Sequence, residues 1–457
     1  MSPGSEHGDG STLRRHMGML SAAALVVANM IGAGIFTTTG FQAEDLGHPG
    51  LILILWAVGG ALALLGALCY AELGAMMPEA GGEYVYLRET YGPAFGFMSA
   101  TVSLIAGFSA PIAAATKSFV VYLGHFFPVF VENPQLLGWV PAVDVAALVI
   151  VWALVLVHMS AVQVGTSFND FVTVLKVVGI VAIILAAAAV GSGDLSNLGE
   201  VTPAYESMAG TGILAAVGTS LVFVMFCYSG WNAAAYMAGE MEDPQRDLPR
   251  ALLLGTIVVL VLYLALNVVY FFGATASELA GRVEVGLVAA RTLFGPWGVT
   301  LVTIVLCASI LASASAMTLA GPRVYYALGS DFDVFSFLAR TRKSGAPVSA
   351  LLLQGAVASV IILLGAVDQI QQYAGFTLVL FGALAVSCVI VLRIRHPGME
   401  RPFQTWGYPV TPIVFLMASA WMMFWAIQGR PLESTLSLLT VVGAGLIFSI
   451  FIRKNRE

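Results

Sequence analysis

The chain of 457 residues is 59% hydrophobic and 10% charged, with a mean hydropathy of +0.89, whereas an ordinary soluble domain is about 25% charged. So few charges cannot cover a globule with polar surface, and disordered chains are poor in the apolar residues that dominate here. A soluble enzyme is excluded, lipid is the expected solvent, and the formal net charge of −6 says less than the places where Lys and Arg fall.

An apolar helix needs about 20 residues to cross the hydrocarbon layer. Runs of that kind predict twelve spans, at 17–44, 51–77, 93–125, 141–161, 168–190, 213–240, 249–273, 296–328, 347–366, 373–392, 410–427 and 434–452. The first follows a tail, 1–16, that carries Arg14 and Arg15. Its apolar character continues into Gly32 and Phe36, past the length of a signal-peptide core, so it reads as a span and not as a cleaved leader. Within it, Asn29-Met30-Ile31-Gly32-Ala33-Gly34-Ile35-Phe36 sets a Gly-Ala-Gly cluster near mid-membrane. The third span carries Lys117 and the fifth Lys176. The sixth reads Phe226-Cys227-Tyr228-Ser229-Gly230-Trp231-Asn232, again with small residues near its middle. After it, 240–250 reads as a solvated loop in which Pro244 and Pro249 end one helix and start the next.

With the amino terminus inside, fifteen of the twenty basic residues fall on the cytoplasmic side, among them Arg88, Arg250, Arg393 and Arg401. That excess predicts a multi-pass protein of the plasma membrane (the inner membrane in a bacterium), with both termini cytoplasmic and no attached soluble domain. Cys69, Cys227, Cys307 and Cys388 all lie in apolar runs without a CxxC pair. The six histidines lack ligand spacing and no GxxxxGK[ST] loop occurs, so neither a metal, a cofactor nor a nucleotide is expected. Nucleic-acid binding has no basic patch to rest on.

Small residues in one membrane span usually serve close packing. Two such clusters five spans apart instead match transporters built from inverted repeats, whose discontinuous helices form a site at the midplane. A break exposes free N–H groups at the start of one half-helix and free carbonyls at the end of the other. Those poles suit a zwitterion: a carboxylate on amides around Ala33 and Gly34, an ammonium against carbonyls around Met30, Phe226 and Ser229. Free α-amino acids carry both groups.

Four stretches then resemble the amino acid/polyamine/organocation superfamily, and within it the L-type amino acid transporter branch. They are 31–36; 66–74 with Gly81-Gly82-Glu83-Tyr84; 226–232 running on to Glu240 and 243–249; and Arg323-Val324-Tyr325-Tyr326-Ala327-Leu328. The stretch from His396-Pro397 to Arg401-Pro402-Phe403 looks like the family's connection into its last two spans. The resemblance implies an all-α membrane protein of the leucine-transporter type. It would have one five-span repeat at 17–190, an inverted second at 213–395, two added spans at 408–457, and discontinuous spans 1 and 6. It implies alternating access of an amino acid, with Phe226 as the aromatic gate, Gly230 and Asn232 lining or bracing the site, and Lys176 where sodium-coupled relatives hold a sodium ion. Two departures stand out. Ala33 replaces a frequent serine, and 126–140 contains no cysteine for a disulfide to a heavy chain, so no covalently linked heavy chain is expected.

The expected substrate contacts are Met30, Ile31, Gly32, Ala33, Gly34 and Ile35 from the first break. The second break adds Phe226, Cys227, Ser229, Gly230, Trp231 and Asn232. Ser109, Ile112, Ser309, Ser313 and Phe376 are wall candidates by depth. Lys176 in a membrane interior is a functional residue by default. Lys117 either snorkels outward or meets a carbonyl cluster, and Glu72 and Glu240 are expected to pair with arginines. A cationic substrate needs a nearby carboxylate. None lies in the central thirds of spans 1, 3, 6, 8 or 10, so neutral L-amino acids are expected over cationic ones or polyamines. A sodium-independent exchanger or proton-linked carrier follows. The rivals are a multispan enzyme, for which no catalytic constellation appears, and a channel, for which no pore loop or charge ring appears.

Overall fold

A computed structural model describes residues 17–78, 81–132, 134–136, 138–160, 162–208, 210–341 and 347–452. The amino-terminal tail with Arg14 and Arg15, the basic residues Arg342 and Lys343, and the carboxy-terminal Arg453, Lys454 and Arg456 lie outside the described residues.

The architecture is all-helical, without a β-strand among the described residues. The principal elements are α1 (Met19–Met30), α2 (Gly34–Asp45), α3 (Pro49–Met76), α4 (Glu83–Tyr91) and α5 (Pro93–Leu123). They continue with α6 (Ala142–Ser160), α7 (Val162–Val190), α8 (Thr211–Tyr228), α9 (Ala233–Tyr236) and α10 (Pro244–Gly273). The last are α11 (Val285–Asp331), α12 (Val348–Leu364), α13 (Val367–Arg395), α14 (Val410–Gly429) and α15 (Pro431–Ile447). Among the described residues nine helices are long and apolar enough to cross a membrane, and α1 with α2, bent by 41° at their break, make a tenth; shorter apolar helices cover Val174–Ala189 and Val348–Leu364. Large apolar side chains such as Leu156, Leu185, Val261, Leu301 and Met417 stay exposed on the outer faces, as lipid contact requires.

Helix punctuation departs from the sequence expectation in three places. The acidic loop after the sixth run is shorter than expected: Pro244 occupies the first turn of α10, and Pro249 sits inside that helix instead of starting it. A second proline so near an amino terminus is tolerated because few intrahelical N–H bonds are lost there. The eighth run begins at 296 as expected, but an additional helix over 285–294 precedes it and turns at Gly295 (φ 64°) into 296–331. In α5, residues Ser103–Ser109 form a π-helical segment, whose wider turn rotates every later side chain about the helix axis.

The bundle interior is continuous. α10 runs along α3 and α1, α11 packs on α5 and α7, and α8 lies between α14, α13 and α3. This places the breaks of both interrupted helices against one another at the centre.

Candidate functional site

The first break covers 31–33. Ile31 leaves helical dihedrals (φ −74°, ψ 88°), and α2 restarts at Gly34. The second break covers 229–232, where Ser229 is extended (ψ 150°) and Gly230 takes φ +100°. Low helix propensity at Gly and Ser permits both interruptions. Their closeness demands glycine at two positions. A Cβ on Gly34 would meet Cys227 Sγ at 2.7 Å, and one on Gly230 would come within 3.0 Å of the Asn29 carbonyl carbon and oxygen, in addition to its left-handed backbone. The two interrupted helices therefore touch backbone to backbone.

Between them lies a small pocket. The first break contributes Asn29, Met30, Gly32, Ala33 and Gly34 to its wall, and the second Phe226, Cys227 and Ser229. α5 supplies Pro111 and Ala115, and α11 supplies Ser313 and Met317. Ser313 Oγ is buried and has no hydrogen-bond partner among the described residues. Among the described residues no carboxylate belongs to this lining.

The amides at the start of α2 are the orphan donors of a helix amino terminus. Among the described backbone bonds, only Phe36 N of this turn is committed, to Ala33 O at 3.0 Å. The carbonyls of the first break are partly occupied. Lys176 of α7, 2% exposed, donates Nζ to Ala28 O at 2.9 Å and Ile31 O at 2.7 Å. Tyr263 of α10 donates its hydroxyl to Met30 O at 2.6 Å and Cys227 O at 3.1 Å, tying one break to the other. Phe226 O accepts from Ser229 N at 3.0 Å and Ser229 Oγ at 2.6 Å. Met30 O and Phe226 O, expected as free acceptors for an ammonium, are thus already engaged.

A polar layer flanks the cavity on the α2 side. Thr38 Oγ1 lies 3.1 Å from Cys227 Sγ and donates to Gln371 Oε1 at 3.0 Å, while Gln371 Nε2 donates to Thr37 Oγ1 at 2.7 Å. On the opposite side, Met17 and Glu240 pair through their backbones, Glu240 lies 3.8 Å from Arg323, and Arg88 pairs with Asp331 at 2.9 Å.

Of the residues singled out from sequence, Met30, Gly32, Ala33, Gly34, Phe226, Cys227, Ser229 and Ser313 line the cavity. Ile31, Ile35, Gly230, Trp231 and Asn232 are outside the lining: Ile31 and Ile35 are buried in the core, and Trp231 packs on Tyr70 and Phe415. Ser109 and Ile112 also face elsewhere, with Ser109 Oγ 3.4 Å from Gln354 O. The π-helical turn, which ends at Ser109, changes the phase of α5, so Pro111 and Ala115 take the wall. Ser309 donates to Val305 O in its own helix, and Phe376 is buried away from the cavity. Lys117 meets the carbonyl cluster envisaged for it, Ile362 O at 3.0 Å and Gly365 O at 2.8 Å, and also Asp144 at 2.6 Å. Glu72 pairs with Arg393 at 2.7 Å and lies 3.6 Å from Arg401. Asn29, Tyr263 and Met317 were not anticipated; a tyrosine hydroxyl within an apolar run was the one available signal for Tyr263, since a buried hydroxyl needs a partner.

Residues 17–447 match the family model for amino acid permeases. The human b(0,+)-type amino acid transporter 1 is 29% identical over 446 residues, covering 96% of this chain and 88% of the relative. The human large neutral amino acids transporter small subunit 2 is 28% identical over 436 residues, 94% of this chain and 79% of the relative. The serine/threonine exchanger SteT of Bacillus subtilis (strain 168) is 28% identical over 424 residues, 91% and 92%. These relatives are transporters and exchangers, not enzymes. With a central cavity between two interrupted apolar helices and a family match over nearly its whole length, the chain belongs to the amino acid permease family of membrane proteins.

Proposed function

We propose that this permease is a sodium-independent secondary transporter of neutral L-amino acids that works by alternating access, as an exchanger or linked to protons. The observation that carries it is the cavity between the two breaks. Free amides at the start of α2 suit a carboxylate, polar wall groups such as Ser229 suit an ammonium, and the absence of a lining carboxylate disfavours a cationic side chain. Lys176, with its ammonium on the carbonyls of Ala28 and Ile31, supplies a built-in cation where a bound sodium ion would otherwise neutralise the end of α1. Phe226 is the aromatic gate over the substrate.

In this scheme the nine long helices, the α1–α2 pair and the two shorter apolar helices make twelve spans. Repeats at 17–190 and 213–395 are followed by two spans within 408–457, with both termini in the cytoplasm and the α2 side facing outward. Because 126–140 has no cysteine, the protein is taken to act without a disulfide-linked heavy chain. Counterflow in proteoliposomes with a panel of labelled amino acids tests the proposal. Saturable exchange of alanine, serine or leucine in sodium-free medium is the expected outcome. Preferential exchange of arginine or a polyamine would replace the substrate class, and solute flow without saturation would remove the carrier.

A further inference from the structure

Glu83 opens α4, outside the apolar spans, yet its side chain turns into the bundle and the residue is 7% exposed. Tyr70 of α3 donates its hydroxyl to Glu83 Oε1, and Asn232 Nδ2 donates to the same oxygen at 2.7 Å. Asn232 is the last residue of the second break and also reaches the Tyr236 hydroxyl at 3.4 Å. The ring of Tyr70 lies 4.6 Å from that of Trp231, the residue before Asn232. One carboxyl thus holds the end of the break whose other end, Phe226 to Ser229, lines the cavity.

Two other buried acids in the bundle sit against cations: Glu72 on Arg393 and Asp144 on Lys117. Around Glu83 the facing groups are Tyr70 from α3, Asn232 and Tyr236 from the break and α9, Cys388 from α13, and Tyr86 from its own helix. Arg88, one turn further along α4, points to Glu89 and Asp331 instead. Among the described residues no cationic side chain pairs with Glu83. A buried carboxylate in that position is costly and is relieved by taking a proton, and burial pushes the Glu83 carboxyl above the usual carboxylate range.

We propose that Glu83 is the proton-binding site of a proton-linked transport cycle, and that its charge state acts on the second break through Asn232. The inference rests on the transporter reading above and selects proton linkage within it. When Glu83 is ionised, Asn232 and Tyr70 donate charge-assisted bonds that hold the break against α3 and α4. When a proton from water on one side forms an O–H bond on the carboxyl, both bonds weaken and the end of the break is released. On the other side that O–H bond breaks and the proton returns to water. Only the proton moves, and it moves with the amino acid.

The test uses proteoliposomes with the membrane potential clamped at zero and labelled alanine in two arms: exchange at equal pH, and net uptake under an acid-outside gradient. The wild-type protein is expected to exchange alanine and to accumulate it up to about tenfold per unit of pH gradient. Because the group holds its proton above the ordinary carboxylate range, uptake should fall as external pH rises through that raised value. Glu83→Gln should keep exchange within about twofold of wild type while losing gradient-driven accumulation and the pH dependence. Glu83→Asp should keep accumulation with a displaced pH midpoint. Wild-type exchange without accumulation would overturn the proposal and leave the amino acid transporter standing, and so would undiminished accumulation in Glu83→Gln. Should Glu83→Gln fail to fold, an unchanged pH midpoint in Glu83→Asp overturns it. Absence of alanine movement in both arms would remove the transporter reading and this proposal together.

Discussion

Lys117 and Lys176 are both lysines buried among apolar helices, but their surroundings differ in kind. Lys117 has an acid: Asp144 at 2.6 Å, with the carbonyls of Ile362 and Gly365 completing its three donors. Among the described residues Lys176 meets only carbonyls, those of Ala28 and Ile31, released by the interruption between α1 and α2. The first is a neutral, closed unit that fastens α5 to α6 and to the end of α12. The second sets its amine at the carbonyl pole of a half-helix, where its removal uncovers the break. On the proposed function, this difference assigns Lys176 to the transport machinery and Lys117 to the scaffold, because the partners of Lys176 are main-chain groups exposed by the break.

The largest effect should come from Lys176→Met. It removes two charge-assisted hydrogen bonds, each worth about 1.5–3 kcal/mol, and initial alanine uptake per reconstituted molecule should fall at least about a hundredfold. Near-normal uptake would make the two lysines equivalent. Lys117→Met should act on the fold instead. It strands Asp144 in the bundle and should cost about 3–5 kcal/mol of stability, read as a lower unfolding temperature in detergent. The KM for alanine should stay within about twofold of wild type; a large KM change at unaltered stability would bring Lys117 into the site. A competition assay sharpens the contrast at the cavity. Arginine should compete about tenfold more weakly than alanine, because no lining carboxylate offsets its charge. The smallest effect is replacement of sodium by choline, which should change uptake by less than about twofold if the Lys176 ammonium stands in for the ion; a steep dependence on sodium would contradict that.

Both breaks were legible in the sequence, because Gly32-Ala33-Gly34 and Ser229-Gly230 are poor helix formers placed where each apolar run should be continuous. Lys176 stood out for a similar reason: eight residues into an apolar run, a place inside the bundle outweighs snorkelling to the headgroups at the cytoplasmic end. The wall contributed by α5 was not. Depth alone selected Ser109 and Ile112, and a π-helical turn that no local sequence signal announces rotates Pro111 and Ala115 into their place. Asp144 was equally hidden as the partner of Lys117, since it stands on the next helix and only tertiary packing brings them together. Tyr263 joins the two breaks through carbonyls 197 residues apart in the chain, a contact that exists only once the halves of the molecule have assembled.

Equilibrium binding of labelled alanine to purified protein in sodium-free buffer, wild type against Gly34→Val, reaches the core of this picture. Gly382→Ala is the control, a substitution into open space. A side chain at Gly34 collides with Cys227 where the two interrupted helices meet. Saturable binding is expected in the wild type and the control, with a loss of at least about tenfold in a Gly34→Val protein that still unfolds cooperatively. Unchanged alanine affinity in that variant would contradict a binding site built from the two breaks.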